Sequence, residues 1–265
     1  MSAEIVRATQ QPTCNVCGAE ANEVILTKDG RDIYRCPVCG LAFTYPQPDS
    51  LDVQYDSAYF DLYRERREFR LRRAAARLSR IESIKRPGRL LDIGCSLGYF
   101  VEAAHKRGWE AMGVEISPSA AEEARGMGLD VRTGILESAG FPDGGFDCVT
   151  MWDVIEHVPD PTSHMLEVRR ILADDGLVVV GTPDLGHLFS RIKRERWRHM
   201  KPAEHVFYFR RSSIRRLLNS TGFEMLPPSG PALFDRLSAP LSRFTQLNDV
   251  MTVYGVKNDL KIPLG

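Results

Sequence analysis

The segment Leu90-Leu91-Asp92-Ile93-Gly94-Cys95-Ser96-Leu97-Gly98-Tyr99-Phe100 constrains this chain more than any other. An apolar run ends in a tight turn and continues as the start of a helix, which describes a buried strand feeding a helix. Gly94 and Gly98 lack Cβ atoms, so a ligand can lie close to the backbone at that turn.

The rest of the chain continues the alternation. Arg89–Ile93 reads as a buried strand with a helix over 98–107, followed by a strand over 110–115 and a helix over 118–127 capped by Ser117. Further strands are expected at 130–133, 146–151 and 177–182, the last so rich in β-branched residues that both its faces should be buried. A helix over 162–172 separates the latter two. The stretch 183–204 reads as long and irregular, and a helix over 212–220 ends at Gly222, where a left-handed cap is natural. Strands at 223–226 and 250–256 close the series. Such alternation specifies an α/β fold with a parallel sheet and helices on both faces.

The glycine turn departs from the dinucleotide fingerprint, because Cys95-Ser96-Leu97 has no middle glycine, which argues against a pyrophosphate ligand. Asp92, at the strand's carboxyl end, favours a cationic ligand instead. Glu115 ends the second strand, where an acid grips ribose hydroxyls. Asp92-Ile93-Gly94-Cys95-Ser96-Leu97-Gly98 resembles the first motif of class I S-adenosylmethionine-dependent methyltransferases, and Val114-Glu115-Ile116-Ser117 resembles their ribose-binding strand end. Gly134-Ile135-Leu136-Glu137 and Phe146-Asp147-Cys148-Val149 resemble the adenine-side turn and the fourth strand. Met151-Trp152-Asp153-Val154-Ile155-Glu156-His157-Val158-Pro159-Asp160-Pro161 resembles the Glu-His-Val-Pro-Asp stretch of the branch that includes ubiquinone-biosynthesis O-methyltransferases. The resemblance implies a Rossmann-like seven-stranded sheet with its last strand antiparallel. It further implies S-adenosylmethionine held by Asp92, Gly94, Cys95, Gly98, Tyr99, Phe100, Glu115, Ile116, Ile135, Leu136, Trp152 and Asp153. Ile135 stands where many relatives carry an acid, leaving the adenine amino group to the backbone or to Glu137.

Cys14-Asn15-Val16-Cys17 and Cys36-Pro37-Val38-Cys39 have zinc-ribbon spacing, with Gly18 and Gly40 easing each knuckle. Cys14, Cys17, Cys36 and Cys39 would close a tetrahedral structural Zn²⁺ site; a redox dithiol or a rubredoxin-like iron site are the alternatives. The expected organisation is a disordered lead (1–12), a zinc ribbon (13–45), a linker with N-terminal helices (46–86) and a class I methyltransferase domain (87–265). Phe69, Ala76 and Ile84 are among the apolar positions of the helical part. A tail over 231–248 with apolar positions at Leu233, Phe234, Leu237, Leu241 and Phe244 covers the pocket, forms an interface or packs on the sheet.

Methyl transfer to a hydroxyl needs an aligned nucleophile and a base to take its proton. Asp153, Glu156 and His157 share one face if the turn after the fourth strand is helical. By resemblance they ligate Mg²⁺ or a similar divalent cation; the plainer reading is that Glu156 and His157 brace loops. His205 and His199, after the fifth strand, are the other base candidates, with Trp197 and the aromatics after His205 as pocket walls or core. The catalytic set is therefore His205, His157 and Asp153.

Lys+Arg and Asp+Glu are equal at 35 each, so overall charge makes no case for nucleic acid or membrane as the main partner. A small-molecule acceptor, a sugar, phenol or other secondary metabolite, is expected to be methylated on oxygen. An RNA methyltransferase using the ribbon and the arginines from Arg64 to Arg89 is the alternative, although such runs are mostly solvated helix faces. A non-catalytic zinc-ribbon binding protein is the third reading. No window approaches the roughly 18 apolar residues of a membrane span, and the first residues lack a signal-peptide core. A cytoplasmic location is expected, with reduced thiols, and Cys95 and Cys148 as inert core residues.

Overall fold

In the computed structural model, residues 12–47, 57–227 and 249–258 are described. All but the last residue of the expected lead (1–12), residues 48–56 of the expected linker, and the 231–248 tail lie outside the described residues.

The chain opens with an antiparallel meander of β1 (Glu23–Lys28), β2 (Arg31–Arg35) and β3 (Ala42–Tyr45). Asp29 and Gly30 turn the first hairpin with φ of 51° and 72°, the geometry in which Asp-Gly joins twisted strands at least cost. Two helices follow, α1 (Ser57–Glu65) and α2 (Arg67–Glu82). The buried positions of α2 are Ala74, Leu78 and Ile81. Phe69 and Ala76, expected among its apolar positions, instead face outward.

Next comes the alternating series β4 (Arg89–Ile93), α3 (Tyr99–His105), β5 (Glu110–Glu115), α4 (Pro118–Gly126), β6 (Val131–Thr133), β7 (Phe146–Trp152), α5 (Pro161–Ile171) and β8 (Leu172–Pro183). The segment expected to be irregular contains α6 (Leu188–Lys193) and a 3-10 turn at Arg194–Arg196. The remaining elements are β9 (Phe207–Tyr208), α7 (Arg211–Ser220), β10 (Phe223–Met225) and β11 (Val250–Lys257). Local chemistry sets the helix ends. Ser117 caps α4 by accepting from the Ala120 N–H, Asp160 caps α5 through Thr162 and Ser163, and Gly222 follows α7 with φ 78°.

The main sheet has seven strands in the order β10-β11-β8-β7-β4-β5-β6. β4 through β8 run parallel, and β11 is antiparallel to β8 with Val253 opposite Val180. Val178, Val179 and Val180 are fully buried, as expected for a strand covered on both faces. Strand order reverses at β4, between β5 and β7, which opens a crevice at the carboxyl ends of these strands.

The second sheet joins distant parts of the chain. β9 pairs with β3, placing Phe207 opposite Phe43 and Tyr208 opposite Ala42. The core is continuous across the two sheets: Cys14, Cys36, Cys39 and Phe43 share a buried cluster with Val206, Phe207, Phe209 and Ile214.

Candidate active site

A cavity of about 1090 Å³ lies over the carboxyl ends of β4, β5 and β7. It is lined by Asp92, Gly94, Cys95, Tyr99, Phe100, Glu115, Ile116, Ile135, Leu136, Trp152 and Asp153, and also by His157, His199 and His205. Of the residues expected from the sequence to hold the donor, Gly98 alone does not line it. Gly98 starts α3 in the left-handed conformation, with Leu129 and Ala124 packed where a side chain would stand. Trp197 and the aromatics Phe207, Tyr208 and Phe209, expected as walls or core, are buried core.

On the β4–β5 side the acids are held in place. Glu115 Oε2 accepts from the Ser96 N–H at 2.8 Å and Oε1 from the Ser117 N–H at 2.9 Å. Burial nonetheless lifts its carboxyl above the ordinary range. Asp92 accepts from the Thr150 hydroxyl at 2.6 Å, and burial pushes its carboxyl to about 7. Two non-glycine residues at this rim have positive φ, Ser96 (52°) and Asp153 (57°), a conformation that side chains rarely adopt outside constrained sites. Gly94 has no room for a Cβ, which would stand 2.6 Å from Val154 Cγ2. Glu137, a candidate for the adenine contact, accepts from His164 Nδ1 at 2.7 Å.

The opposite side is built from the turn after β7 and the segment before β9. Residues 153–157 form a bend and a turn and not a helix, so the condition under which Asp153, Glu156 and His157 would share one helical face is not met. Asp153 is exposed at the rim, while Glu156 is buried beneath it. Glu156 Oε2 accepts from Thr182 at 2.9 Å, and its backbone carbonyl accepts the Val206 and Phe207 N–H groups. His157 Nδ1 lies 2.8 Å from the Glu204 carbonyl. A carbonyl only accepts, so Nδ1 carries the proton and Nε2 keeps a free lone pair. The His157 and His205 rings meet edge to face at 4.7 Å. Burial drives the pKa of both down, that of His205 to about 2, with His157, His199 and Lys201 adding to the effect. Among the described residues, Glu156 Oε1 and His205 Nδ1 are buried without a hydrogen-bond partner.

The four N-terminal cysteines come together in the small sheet. Sγ of Cys14 lies 3.5 Å from that of Cys39, and Sγ of Cys17 lies 3.4 Å from that of Cys36. All four sulfurs are within 4.8 Å of one another. Sulfurs about 2.3 Å from a central ion stand about 3.8 Å apart in a tetrahedron, so the donor set fits a zinc ion. Pairing with Cys39 lowers the Cys14 thiol and raises that of Cys39. Cys95 and Cys148 are apart from this group, buried, and both pushed up by desolvation.

Sequence reasoning missed the cavity-facing arginines Arg70, Arg73 and Arg77 of α2. Their spacing on one helix face was the available signal; it was masked by the arginines around them. Thr44, which donates its hydroxyl to the His205 carbonyl at 3.0 Å, carried no signal, because its partner is remote in sequence.

Residues 63–227 match a family described as a methyltransferase domain. A ubiquinone biosynthesis O-methyltransferase of Alkalilimnicola ehrlichii is 33% identical over 101 residues, 36% of this chain and 41% of the relative. One from Xanthomonas oryzae pv. oryzae is 29% identical over 149 residues, 48% of this chain and 62% of the relative. The chain thus spans about half the length of these curated relatives. Among solved structures, a SAM-dependent methyltransferase of Thermotoga maritima, described as a possible histamine N-methyltransferase, shares the fold. Its TM-score is 0.55 at 24% identity, covering 76% of this chain and 97% of that one. Among the described residues, no helix is long and apolar enough to cross a membrane.

Proposed function

The chain belongs to the S-adenosylmethionine-dependent methyltransferase family, and on that premise we propose that it methylates an oxygen of a small-molecule acceptor. One observation carries this reading: a single cavity is lined on one side by Asp92, Gly94 and Glu115 and on the other by Asp153, His157 and His205. The first set suits the donor. Two carboxylates face a space bordered by a glycine turn, which fits a cationic ligand with a ribose. Bound there, S-adenosylmethionine supplies an electrophilic methyl group on a sulfonium. Glu115 would take the ribose hydroxyls, Ile135 and Leu136 would flank the adenine, and Trp152 with Phe100, ring centroids 5.4 Å apart, would wall the methyl end.

The proton of an acceptor hydroxyl then needs a base. The hydrogen bond from His157 Nδ1 to the Glu204 carbonyl leaves Nε2 unprotonated, which supports His157 in that role. His205, held neutral by burial, would pack against His157 and keep its ring in place. A second reading rests on the two orphaned atoms. Glu156, His157 and His205 offer ligand atoms within 4.8 Å of one another and would hold a divalent cation, supplying Lewis acidity to the acceptor oxygen. In this reading His205 takes the place that the sequence resemblance gives to Asp153. The four cysteines would hold a structural zinc ion with no open coordination position.

Native mass spectrometry with S-adenosylhomocysteine tests the proposal. One zinc and one adenosyl ligand per chain are expected; absence of adenosyl binding would refute it. His157→Ala should lower turnover on an acceptor more than tenfold without loss of donor affinity. Activity abolished by a chelator and restored by Mg²⁺ but not Zn²⁺ would favour the cation reading over the base.

A further inference from the structure

The arginines of the first helices differ in what they face. Arg64 pairs with Asp61 and Glu123, and Arg67 with Glu102, so these two are matched by carboxylates, while Arg66 and Arg72 stand exposed to solvent. Arg70, Arg73 and Arg77 line the cavity instead. Among the described residues, no carboxylate lies within ion-pair distance of any of the three. Two of them rest on aromatic rings: the Arg70 guanidinium is 3.3 Å from the centroid of Tyr63, and that of Arg77 is 3.7 Å from the centroid of Trp152. Stacking fixes a guanidinium's plane while leaving its edge free to bind an oxyanion in the fork geometry. Arg70 Nε is buried and unpartnered among the described residues.

This arrangement has an electrostatic cost. The Arg77 guanidinium is pulled down to about 10, first by burial and next by the charge of Arg73. Asp153 and Asp92 offset part of it. Asp92 and Glu115 are engaged by Thr150 and by backbone N–H groups, and burial favours their neutral forms. Glu156 is shifted in the same direction. S-adenosylmethionine would not balance the charge: its sulfonium and ammonium outnumber its carboxylate, leaving it a net cation. Three arginines thus face one cavity with no carboxylate in ion-pair distance among the described residues, an arrangement that suits an oxyanion ligand.

We propose that the methyl acceptor carries an oxyanion, a carboxylate or phosphate, and that Arg70, Arg73 and Arg77 receive it. The inference rests on the methyltransferase reading for its donor. It deepens that reading by selecting acidic sugars, phenolic acids or phosphorylated metabolites over neutral acceptors.

The test is isothermal titration of the full chain saturated with S-adenosylhomocysteine. The probes are 3,4-dihydroxybenzoate, its neutral counterpart 1,2-dihydroxybenzene, and inorganic phosphate as a scaffold-free anion. The benzoate should bind at least tenfold more tightly than the neutral diol, with phosphate competing for the site. Arg73→Gln and Arg70→Gln should each remove about tenfold of that preference; the Arg73 variant gives up no ring stacking of the kind Arg70 makes with Tyr63, so it is the safer for folding. The donor's carboxylate is a rival target for the same arginines. Comparing S-adenosylhomocysteine with 5′-methylthioadenosine, which lacks that carboxylate, separates the two. Variants that change only this ratio, leaving the benzoate preference intact, would overturn the proposal. So would equal binding of the charged and neutral diols, or failure of both anions to bind. If S-adenosylhomocysteine itself does not bind, the methyltransferase reading falls, and the anion titrations repeated without it still decide whether the arginines take an oxyanion.

Discussion

Replacing Asp92 by asparagine should stabilise the protein while crippling donor binding. Asp92 is 2% exposed and ends in a hydrogen bond from Thr150. Burial raises its carboxyl from 3.8 to about 7, with the Glu115 charge acting in the same direction and Thr150 and Arg77 opposing. The folded state therefore binds this proton more tightly than the unfolded chain does. Stability is fully present below about pH 4 and is lost as pH rises toward 7, the reverse of a salt-bridged carboxylate. At about 1.4 kcal/mol per tenfold in proton affinity, the interval corresponds to roughly 4 kcal/mol of destabilisation at pH 8. Asparagine keeps the shape and an acceptor for Thr150 but has no charge to desolvate.

Urea unfolding followed by tryptophan fluorescence should thus show Asp92→Asn more stable than the parent by roughly 2–4 kcal/mol at pH 8, the gap narrowing to roughly 1–2 kcal/mol at pH 5. S-adenosylmethionine affinity should fall more than tenfold in the variant. In the parent it should strengthen as pH rises through 7, because the cationic donor selects the ionised carboxyl. Stability curves that run parallel from pH 5 to 8, or a variant less stable than the parent at pH 8, would refute the reasoning. Unchanged donor affinity would remove Asp92 from the donor site.

Three further outcomes are expected. Gly98→Ala should cost roughly 2–4 kcal/mol in urea melts, combining left-handed backbone strain with overpacking, since the new Cβ would stand 2.5 Å from Leu129 Cδ1 at φ 75°; an unchanged midpoint would show that the turn can rotate away. Cys39→Ser should abolish zinc retention in elemental analysis and lower the melting temperature by more than about 5 °C, because metal affinity is folding free energy. A protein that holds no zinc and melts as before would deny the site. Thr44→Val leaves the His205 carbonyl without its hydroxyl donor and should cost roughly 1–2 kcal/mol; turnover should fall while donor affinity holds, and an equal fall in both would place the effect on folding alone.

The strands of the main sheet were readable because a parallel sheet buried on both faces writes its strands as short apolar runs. Leu90 to Ile93 and Leu177 to Val180 are of that kind, and Ser117, Asp160 and Gly222 mark helix ends by chemistry that needs only neighbours in the chain. The cysteine unit was readable because metal spacing is local. β9 was not: two residues suffice for a strand only because β3 is waiting beside them, and nothing near Phe207 announces that. The stretch after β7 was left open by its sequence for a different reason. Its acid and histidine spacing suits a helix, but Asp153 has positive φ, and Pro159 restricts the residue before it, so the chain turns. In α2 the arginines gave a correct charge, but only packing decides which guanidiniums meet carboxylates, which face solvent and which meet the cavity.

The N-terminal unit matters to the site through its backbone. Thr44 of β3 donates its N–H to the Val206 carbonyl and its hydroxyl to that of His205, while Val206 and Phe207 donate onward to the Glu156 carbonyl. Thr162, on α5, holds the first knuckle by donating to the Asn15 carbonyl at 2.8 Å. The path from cysteine knuckle to His205 and Glu156 is therefore a run of main-chain hydrogen bonds, completed by the hydroxyls of Thr162 and Thr44, within one shared core. The glycine turn is anchored elsewhere, by Val114 and Glu115 of β5. Loss of the metal should accordingly loosen the histidine side of the cavity before the glycine side. Hydrogen exchange after chelation would show this as faster exchange at Val206 and Phe207 with protection retained at Gly94 and Ser96; simultaneous loss at both would mean that the cysteine unit supports the fold as a whole and has no particular hold on the acceptor side.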